Sequence, residues 1–264
     1  MLEARIRGVG VLGPGLSDWP QLAAIFRGER GYESARTLLP APSVLPAAER
    51  RRAGRVVKLA LAVGAEAVAS ARTDTRTLPS VFSSSGGDGD NCHELCSSLA
   101  TERPLLSPTR FHNSVHNAAS GYWSIAYGCT APITALCARE ASFGAGLIEA
   151  LAQLACGAEA VLLVAYDADD PPPLQAGRTI PDAFGLALLL ASAQRRADEP
   201  RLQLELDAGA PSRLEAAPLE TLRQTIPAAR GLPLLERLAR GERGELWLDY
   251  LDHVTLAVRL ELSA

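Results

Sequence analysis

The feature that most constrains the fold is a pair of segments made almost entirely of apolar residues. Residues 160–165 read AVLLVA, and residues 184–191 read FGLALLLA. Neither run approaches the roughly 18 to 20 residues of a membrane-spanning helix. A short run of this kind is typical of a strand that is covered on both faces. The sequence therefore predicts a central sheet with helices on both sides.

Helical and extended patterns alternate along the rest of the chain, which favours an α/β fold over an all-α or all-β one. Further strands are predicted at residues 3–12, 78–85, 133–136, 201–207, 245–250 and 254–262. Helices are predicted at residues 18–27, 47–70, 90–100, 118–127, 140–155, 214–226 and 232–239. No linker or internal repeat interrupts this order, so we expect one domain over residues 1–264.

Composition excludes several classes of protein. Apolar residues make up 47% of the chain and charged residues 21%, a globular balance that argues against a disordered chain. Lys and Arg number 26 against 30 Asp and Glu, so a net charge of −4 gives no electrostatic reason to bind nucleic acid. The first residues, MLEARIRGVGV, carry charges where a signal peptide would be apolar. We expect a cytoplasmic protein without a membrane span.

Neither a metal nor a cofactor is expected from the sequence. The five cysteines are an odd number, and the Cys92-x-x-x-Cys96 spacing with His93 has no second pair to complete a zinc site. Gly8 to Gly13 fits G-x-G-x-x-G, but no acidic residue follows at the distance that dinucleotide binding needs. The run from Ser83 to Gly87 lacks the Gly-Lys-Ser ending of a phosphate-binding loop.

Two segments could carry chemistry. One is a loop dense in polar side chains beside aromatic residues: His112, Asn113, Ser114, His116 and Asn117, near Phe111, Tyr122 and Trp123. It is either a site or a loop whose side chains satisfy buried backbone groups. The other is Cys137, which follows a short strand and precedes a helix. A thiol there is either a nucleophile activated by the helix N-terminus or a buried apolar group.

Four segments together resemble the β-ketoacyl synthase family, which has the thiolase fold. They are Ile6-x-Gly8-x-Gly10, Val81-Phe82-Ser83-Ser84, the loop from Ser107-Pro108-Thr109 through Ser114-Val115-His116-Asn117-Ala118, and Ser142-Phe143-x-x-Gly146-Leu147-Ile148-Glu149-Ala150. More narrowly, they resemble the chain-length-factor-like proteins of bacterial aryl polyene pathways. The resemblance covers about residues 3–195. It implies a layered α-β-α thiolase-like fold with a shortened second half.

The resemblance also implies that the catalytic set is incomplete. Active members use a cysteine at the start of the central helix, with two histidines and a lysine from the second half of the fold. Here the His-Gly-Thr-Gly-Thr segment has no counterpart, His253 is the only histidine after Cys137, and Lys58 is the only lysine. Counting forward from Gly128 puts the nucleophile at Cys137, whereas counting back from Gly157 puts it at Glu140. The sequence leaves both positions open.

The implied function is a non-catalytic subunit that pairs with an intact β-ketoacyl-ACP synthase and shapes its acyl pocket, without a cofactor. The residues expected at the pocket or interface are Phe111, His116, Asn117, Tyr122, Trp123, Glu140 and Phe143. The residues expected to dock an acyl carrier protein are Arg50, Arg51, Arg52 and Arg55. Two alternatives stay open: a small acyltransferase or priming enzyme with Cys137 as nucleophile and His116 as base, and a homodimer without an acyl role.

Overall fold

The structure is a computed structural model that describes residues 1–194 and 198–262. The strands in these residues are β1 (Leu2–Leu12), β2 (Ser80–Ser83), β3 (Ile133–Leu136), β4 (Ala160–Asp167), β5 (Phe184–Ala191), β6 (Arg201–Asp207), β7 (Gly244–Leu251) and β8 (Val254–Glu261). They form one sheet in the order β3-β2-β4-β5-β1-β6-β8-β7. Residue 195, the expected end of the recognisable core, lies outside the described residues.

Within the described residues, ten helices connect or flank these strands. They are α1 (Trp19–Phe26), α2 (Ala47–Arg52), α3 (Arg55–Ala71), α4 (Gly89–Leu99), α5 (Pro108–His112), α6 (Ala118–Tyr127), α7 (Ser142–Ala155), α8 (Pro172–Gln175), α9 (Ala217–Thr225) and α10 (Leu232–Arg240). Short 3-10 turns at Arg139–Ala141 and Pro227–Gly231 precede α7 and α10. Over the described residues, no helix is both long and apolar enough to cross a membrane.

The two apolar segments are the centre of the sheet, as the sequence predicts. β4 and β5 pair antiparallel over their full length, and every residue of β5 is buried. Helices α3 and α6 pack on one face of the sheet, while α1, α7, α9 and α10 contribute to the core on the other face. The predicted α/β class with α-β-α layers is therefore confirmed.

Helix α7 is enclosed by two distant parts of the same sheet. It contacts β2 and β4 near one end of the sheet and β7 at the other end. A flat sheet would hold β4 and β7 about 24 Å apart, since neighbouring strands are about 4.8 Å apart. A helix is only about 10 to 12 Å wide. The sheet therefore curls around α7, which places the β7–β8 turn near the start of that helix.

One predicted helix is wrong in its extent. Residues 47–70 were expected to form a single helix, but the structure divides them into α2 and α3 at Ala53 and Gly54. Ala53 is extended (ψ 116°), and Gly54 is the N-cap of α3. A Cβ atom at Gly54 would come within 2.9 Å of the Asp88 carboxylate, so glycine also leaves space for that side chain.

The Gly8 and Gly10 pattern has a packing explanation. Both glycines lie on β1 directly beneath α3. A Cβ atom at Gly8 would lie 2.0 Å from the Ala67 carbonyl oxygen, and one at Gly10 would lie 2.0 Å from the Val63 carbonyl oxygen. The spacing therefore lets a helix backbone rest on a strand backbone, which is a structural use of glycine rather than a phosphate-binding one.

We expect Gly10→Ala to lower the free energy of unfolding by about 2 kcal/mol or more, because the added methyl group meets helix backbone that cannot move aside locally. Gly121→Ala is the matched control. No atom lies within 4 Å of the Cβ position at Gly121, which is exposed on α6, so the helix propensity of alanine should raise stability by up to about 1 kcal/mol. Urea unfolding of both variants measures the difference. Equal effects would contradict the packing explanation.

Candidate functional site

A buried carboxylate organises the polar groups at the carboxyl ends of the parallel strands β2 and β4. Asp167 ends β4 and is 2% exposed. Its Oδ1 accepts hydrogen bonds from the Ser85 backbone N–H (2.8 Å) and the Ser85 hydroxyl (2.6 Å), and its Oδ2 accepts one from the Ala228 N–H (2.9 Å). Burial raises the pKa of Asp167 above its usual range, while these three hydrogen bonds oppose that rise.

Two arginines extend this network to the start of α7. Arg178 donates to the Ser85 hydroxyl (2.8 Å) and to Glu140 Oε1 (3.0 Å). Arg230 donates to the other oxygen of Glu140 at 3.4 Å. Both guanidinium groups are largely shielded from solvent, at 24% and 17% exposure of the side chain. The carboxylate of Glu140 thus lies between two cations.

The local backbone explains why Glu140 takes this position. It is the middle residue of the 3-10 turn Arg139–Ala141, which runs directly into α7. The Ser142 hydroxyl accepts from the Ala138 N–H (3.0 Å) and donates to the Arg139 carbonyl (2.7 Å), so it ties the turn to the helix. Glu140 lies two residues before α7, whereas Cys137 lies five residues before it.

Cys137 and His116 use their polar atoms on backbone carbonyls. The exposed Cys137 thiol donates to the Ser85 carbonyl at 3.2 Å. His116 Nε2 lies 3.0 Å from the Leu136 carbonyl, and it carries the proton because a carbonyl only accepts. Both side chains are therefore near the end of β3, but the described residues contain no hydrogen bond between them.

A cleft of about 590 Å³ opens beside Glu140. It is lined by Glu140 and Arg230, by the end of β7, the β7–β8 turn with His253 and the start of β8, and by residues of the segment 208–211. Asp249 of β7 is held by Arg223 of α9, which also forms a two-bond pair with Glu220 at 2.7 Å for each bond. The Arg223 guanidinium holds the pKa of Glu220 at about 2.

The structure separates the predicted pocket residues into two groups. Phe111 and Asn117 are exposed, and His116 and Glu140 are half-buried. Tyr122, Trp123 and Phe143 are at most 1% exposed and lie in the hydrophobic core. Tyr122 also donates to the Asn113 amide oxygen at 3.2 Å, and the Trp123 ring packs near Phe82. In the protomer these three side chains offer almost no surface to a ligand or partner.

The predicted carrier-docking arginines also divide. Arg50, Arg51 and Arg52 are exposed on α2, and Arg52 pairs with Glu49 at 3.1 Å. Arg55 instead pairs with Asp169 at 2.7 Å and is 33% exposed. Its charge is therefore largely compensated within the chain.

Cys92 and Cys96 are both exposed on α4. Among the described residues, no group of three or more His, Cys, Asp and Glu side chains is arranged to hold a metal ion.

The sequence analysis did not predict three residues of this site: Asp167, Arg178 and Arg230. A carboxylate at the end of a fully apolar strand is a signal that could have identified Asp167, because ligands and polar sites collect at the carboxyl ends of parallel strands. The two arginines lie in a loop and in a 3-10 turn, and no local pattern distinguishes them from other surface arginines.

Comparison with known proteins identifies the family. The family model for the N-terminal domain of β-ketoacyl synthase matches residues 27–248. The chain belongs to the β-ketoacyl synthase family. No curated protein sequence matches this β-ketoacyl synthase family member.

Solved structures share its fold. A chain from the complex of the ketosynthase ApeO with its chain length factor ApeC from Xenorhabdus doucetiae aligns with a TM-score of 0.75 and 23% identity, over 98% of this chain and 100% of that one. A chain of the ishigamide ketosynthase/chain length factor aligns with a TM-score of 0.72 and 16% identity, over the full length of both. A chain of the AntDE:AntF complex, a type II acyl carrier protein with its ketosynthase, aligns with a TM-score of 0.75 and 12% identity over 98% of this chain and 99% of that one.

The ion pairs beside the cleft predict how the stability of this β-ketoacyl synthase family member depends on pH. The pKa of Glu220 is about 2 in the folded chain, against an ordinary value of 4.5. The stabilisation by its ionised form is therefore complete above about pH 4.5 and is lost as the pH falls towards 2. Glu220→Gln should lower the free energy of unfolding by about 2 kcal/mol or more at pH 7, with a difference that shrinks between pH 4.5 and 2.

Denaturant unfolding of the wild type and the variant across this pH range measures the effect. Glu29→Gln is the control, since Glu29 forms a solvent-exposed pair with Arg27 and its replacement should leave the free energy of unfolding almost unchanged. A constant difference between wild type and Glu220→Gln from pH 7 to pH 2 would contradict the assignment.

Proposed function

We propose that this chain is a non-catalytic, chain-length-factor-like subunit that pairs with an intact β-ketoacyl synthase and helps to shape the acyl pocket. The observation that carries the proposal is the pair of arginines around Glu140, directly before α7. A carboxylate cannot form a thioester, and both oxygens of this one accept hydrogen bonds from guanidinium groups. In active members of the family the nucleophilic cysteine stands at the start of the corresponding helix.

The remaining catalytic groups support the same conclusion. A ketosynthase needs a base or proton donor beside its nucleophile, and paired histidines fill this role in active members. The only histidine after Cys137 is His253, which is exposed at the β7–β8 turn. His116 donates its Nε2 proton to a backbone carbonyl, so that nitrogen is not free to accept a proton from Cys137.

A partner has a surface to bind. β3 ends the sheet, and in the part of the chain that the structure describes no strand pairs with its outer edge. Phe111, Val115 and Ile125 expose 67%, 54% and 47% of their surfaces on the segments that lead into β3. We call β3 and these three side chains the pairing face. An open strand edge and exposed apolar side chains are both features that a stable protein interface covers.

The loop that carries His116 connects the pairing face to the proposed role in shaping the acyl pocket. The bond between His116 and the Leu136 carbonyl holds the loop after α5 against the end of β3. Phe111 and Asn117 are exposed beside it. In the proposed heterodimer these two side chains reach the partner's acyl tunnel and limit the chain length there. The structural relatives from ketosynthase–chain length factor complexes support the pairing with a synthase. From the sequence resemblance, we propose an aryl polyene precursor as the acyl chain that the complex extends.

A carrier protein would bind elsewhere on the complex. Helix α2 presents Arg50 and Arg51 to solvent, and neither forms an ion pair within the described residues. We propose that these two residues and Arg52 attract an acidic acyl carrier protein, an interaction that salt should weaken. Arg55 is left out of this surface because it already pairs with Asp169 within the chain.

The pairing face can be tested by placing a charge on it. Phe111→Asp and Val115→Asp should each weaken association with the co-expressed β-ketoacyl synthase at least about 30-fold, because an unpaired carboxylate would be buried at the interface. Co-purification and analytical ultracentrifugation measure the association. Both positions are exposed in the protomer, so thermal stability should stay close to the wild-type value.

Leu38→Asp is the matched control for these variants. Leu38 is 84% exposed but lies in the irregular segment between α1 and α2, away from β3. This variant should retain the complex. Retention of the complex by Phe111→Asp and Val115→Asp as well would show that the partner binds another surface.

The absence of catalysis has its own test. The chain alone and its complex with the synthase are incubated with acyl-loaded carrier protein, and intact mass and peptide mapping locate any adduct. We expect the acyl group on the synthase and none on Cys137, and Cys137→Ala should leave product output unchanged. An acyl adduct on Cys137 would instead make this chain a thioester-forming enzyme.

A further inference from the structure

Two cysteine thiols lie side by side on the outer face of α4, and the proposed function uses neither of them. Cys92 and Cys96 are both free and exposed. Residues four apart on a helix share one face, with their Cβ atoms about 5 to 6 Å apart. The thiols are close enough to interact, since the pKa of Cys92 is raised first by partial desolvation and then by the neighbouring Cys96. The chain thus presents two adjacent sulfur ligands to solvent.

Contacts on other faces of α4 hold the helix in place. The buried Asn91 donates from its side-chain amide to the Arg110 carbonyl of α5 at 2.8 Å. Glu94 pairs with the Arg110 guanidinium at 3.5 Å. The Asp88 carboxylate accepts from the Asn91 backbone N–H at 3.0 Å and caps the start of the helix. An anchored helix, and not a loose loop, therefore sets the spacing and direction of the two thiols.

The thiols have an apolar setting on this face. At 3.6 residues per turn, Leu95 and Leu99 lie on the same side of α4 as the two cysteines. Leu95 is half-buried, and Leu99 is exposed. His93 is turned about 100° around the helix from Cys92 and lines a cleft beside α5. The groups next to the sulfur atoms on this face are therefore mainly hydrocarbon.

This geometry selects among the ligands that thiols usually take. A disulfide needs Cβ atoms about 3.5 to 4.5 Å apart, so the helical spacing is too wide for one unless the helix unwinds. Structural zinc takes four ligands. In the described part of the chain, no three His, Cys, Asp or Glu side chains are grouped to hold a metal ion. Cu(I) is a soft ion that prefers thiolates, and two of them on opposite sides satisfy it.

We propose that Cys92 and Cys96 bind one Cu(I) ion between their two thiolates. An ion between two sulfur atoms spans a wider gap than a direct sulfur–sulfur bond, which suits the helical spacing. Binding forms two copper–sulfur bonds and releases the two thiol protons, and the copper stays in the Cu(I) state throughout. Leu95 and Leu99 shield the ion from further ligands. The site does not depend on the proposed pairing with a synthase, because both ligands belong to this chain.

A competition titration tests the site on the full chain without oxygen, with Cu(I) supplied as its coloured bicinchoninate complex. The wild type should withdraw one Cu(I) ion per chain, and X-ray absorption of the product should show two sulfur neighbours. Cys92→Ser and Cys96→Ser should each weaken binding at least about 100-fold, because the second thiolate is held at a high effective concentration. Both positions are exposed, so thermal stability should stay close to the wild-type value.

The matched control is the double variant Cys96→Ser with Ser97→Cys. It keeps two cysteines on α4 but moves one to a position about 140° around the helix from Cys92, so it should bind as weakly as Cys96→Ser. Cys156→Ser removes an exposed thiol at the end of α7 and should leave the affinity unchanged.

Three results would overturn the proposal: no withdrawal of Cu(I) by the wild type, unchanged affinity in either serine variant at positions 92 and 96, or full binding by the double variant. Sedimentation of the chain should show the same mass with and without Cu(I). A doubling of the mass on addition of Cu(I) would also contradict the site, because it would place the ion between two copies of the chain.

Discussion

The structure depends on the enclosure of helix α7 by a single sheet. The strands on one side of this helix and β7 on the other side belong to the same eight-stranded sheet, so the sheet has to curl. Two glycines allow the close approach on the two sides. A Cβ atom at Gly146 would lie 2.9 Å from Leu163 and 3.0 Å from Ser83, and one at Gly144 would lie 2.9 Å from the Tyr250 ring. Larger side chains at these positions would push the sheet away from the helix.

The polar site exists because this enclosure brings strand ends, loops and the helix start together. Asp167 joins two of these segments. One of its carboxylate oxygens holds the loop after β2, and the other holds the 3-10 turn that carries Arg230. In a buried setting each such hydrogen bond is stronger than in water, and each unpaired polar group costs more. Among the described residues, the Thr255 hydroxyl is one of the few buried polar groups that has no hydrogen-bond partner.

The family of this chain and its proposed role within that family rest on different observations. Membership in the β-ketoacyl synthase family rests on a match over residues 27–248. The proposed non-catalytic role rests instead on the start of α7, where a carboxylate between two guanidinium groups stands before the helix. The β7–β8 turn lines the cleft beside this carboxylate. In the proposed role, the chain uses the family fold and its pairing face without a nucleophile of its own.

The sequence by itself determined most of the secondary structure and the layering. The bounds predicted for β3, β5 and β6 are the observed ones, because apolar runs and alternation report burial directly. It did not predict the break at Gly54, where a Cβ atom would come within 2.9 Å of the carboxylate of Asp88, 34 positions away in the sequence. Only the tertiary structure decided the site: Arg178 and Arg230 meet Glu140 across 38 and 90 positions of sequence. Local periodicity shows which face of an element is buried, but the curl of the sheet decides which distant charges become neighbours.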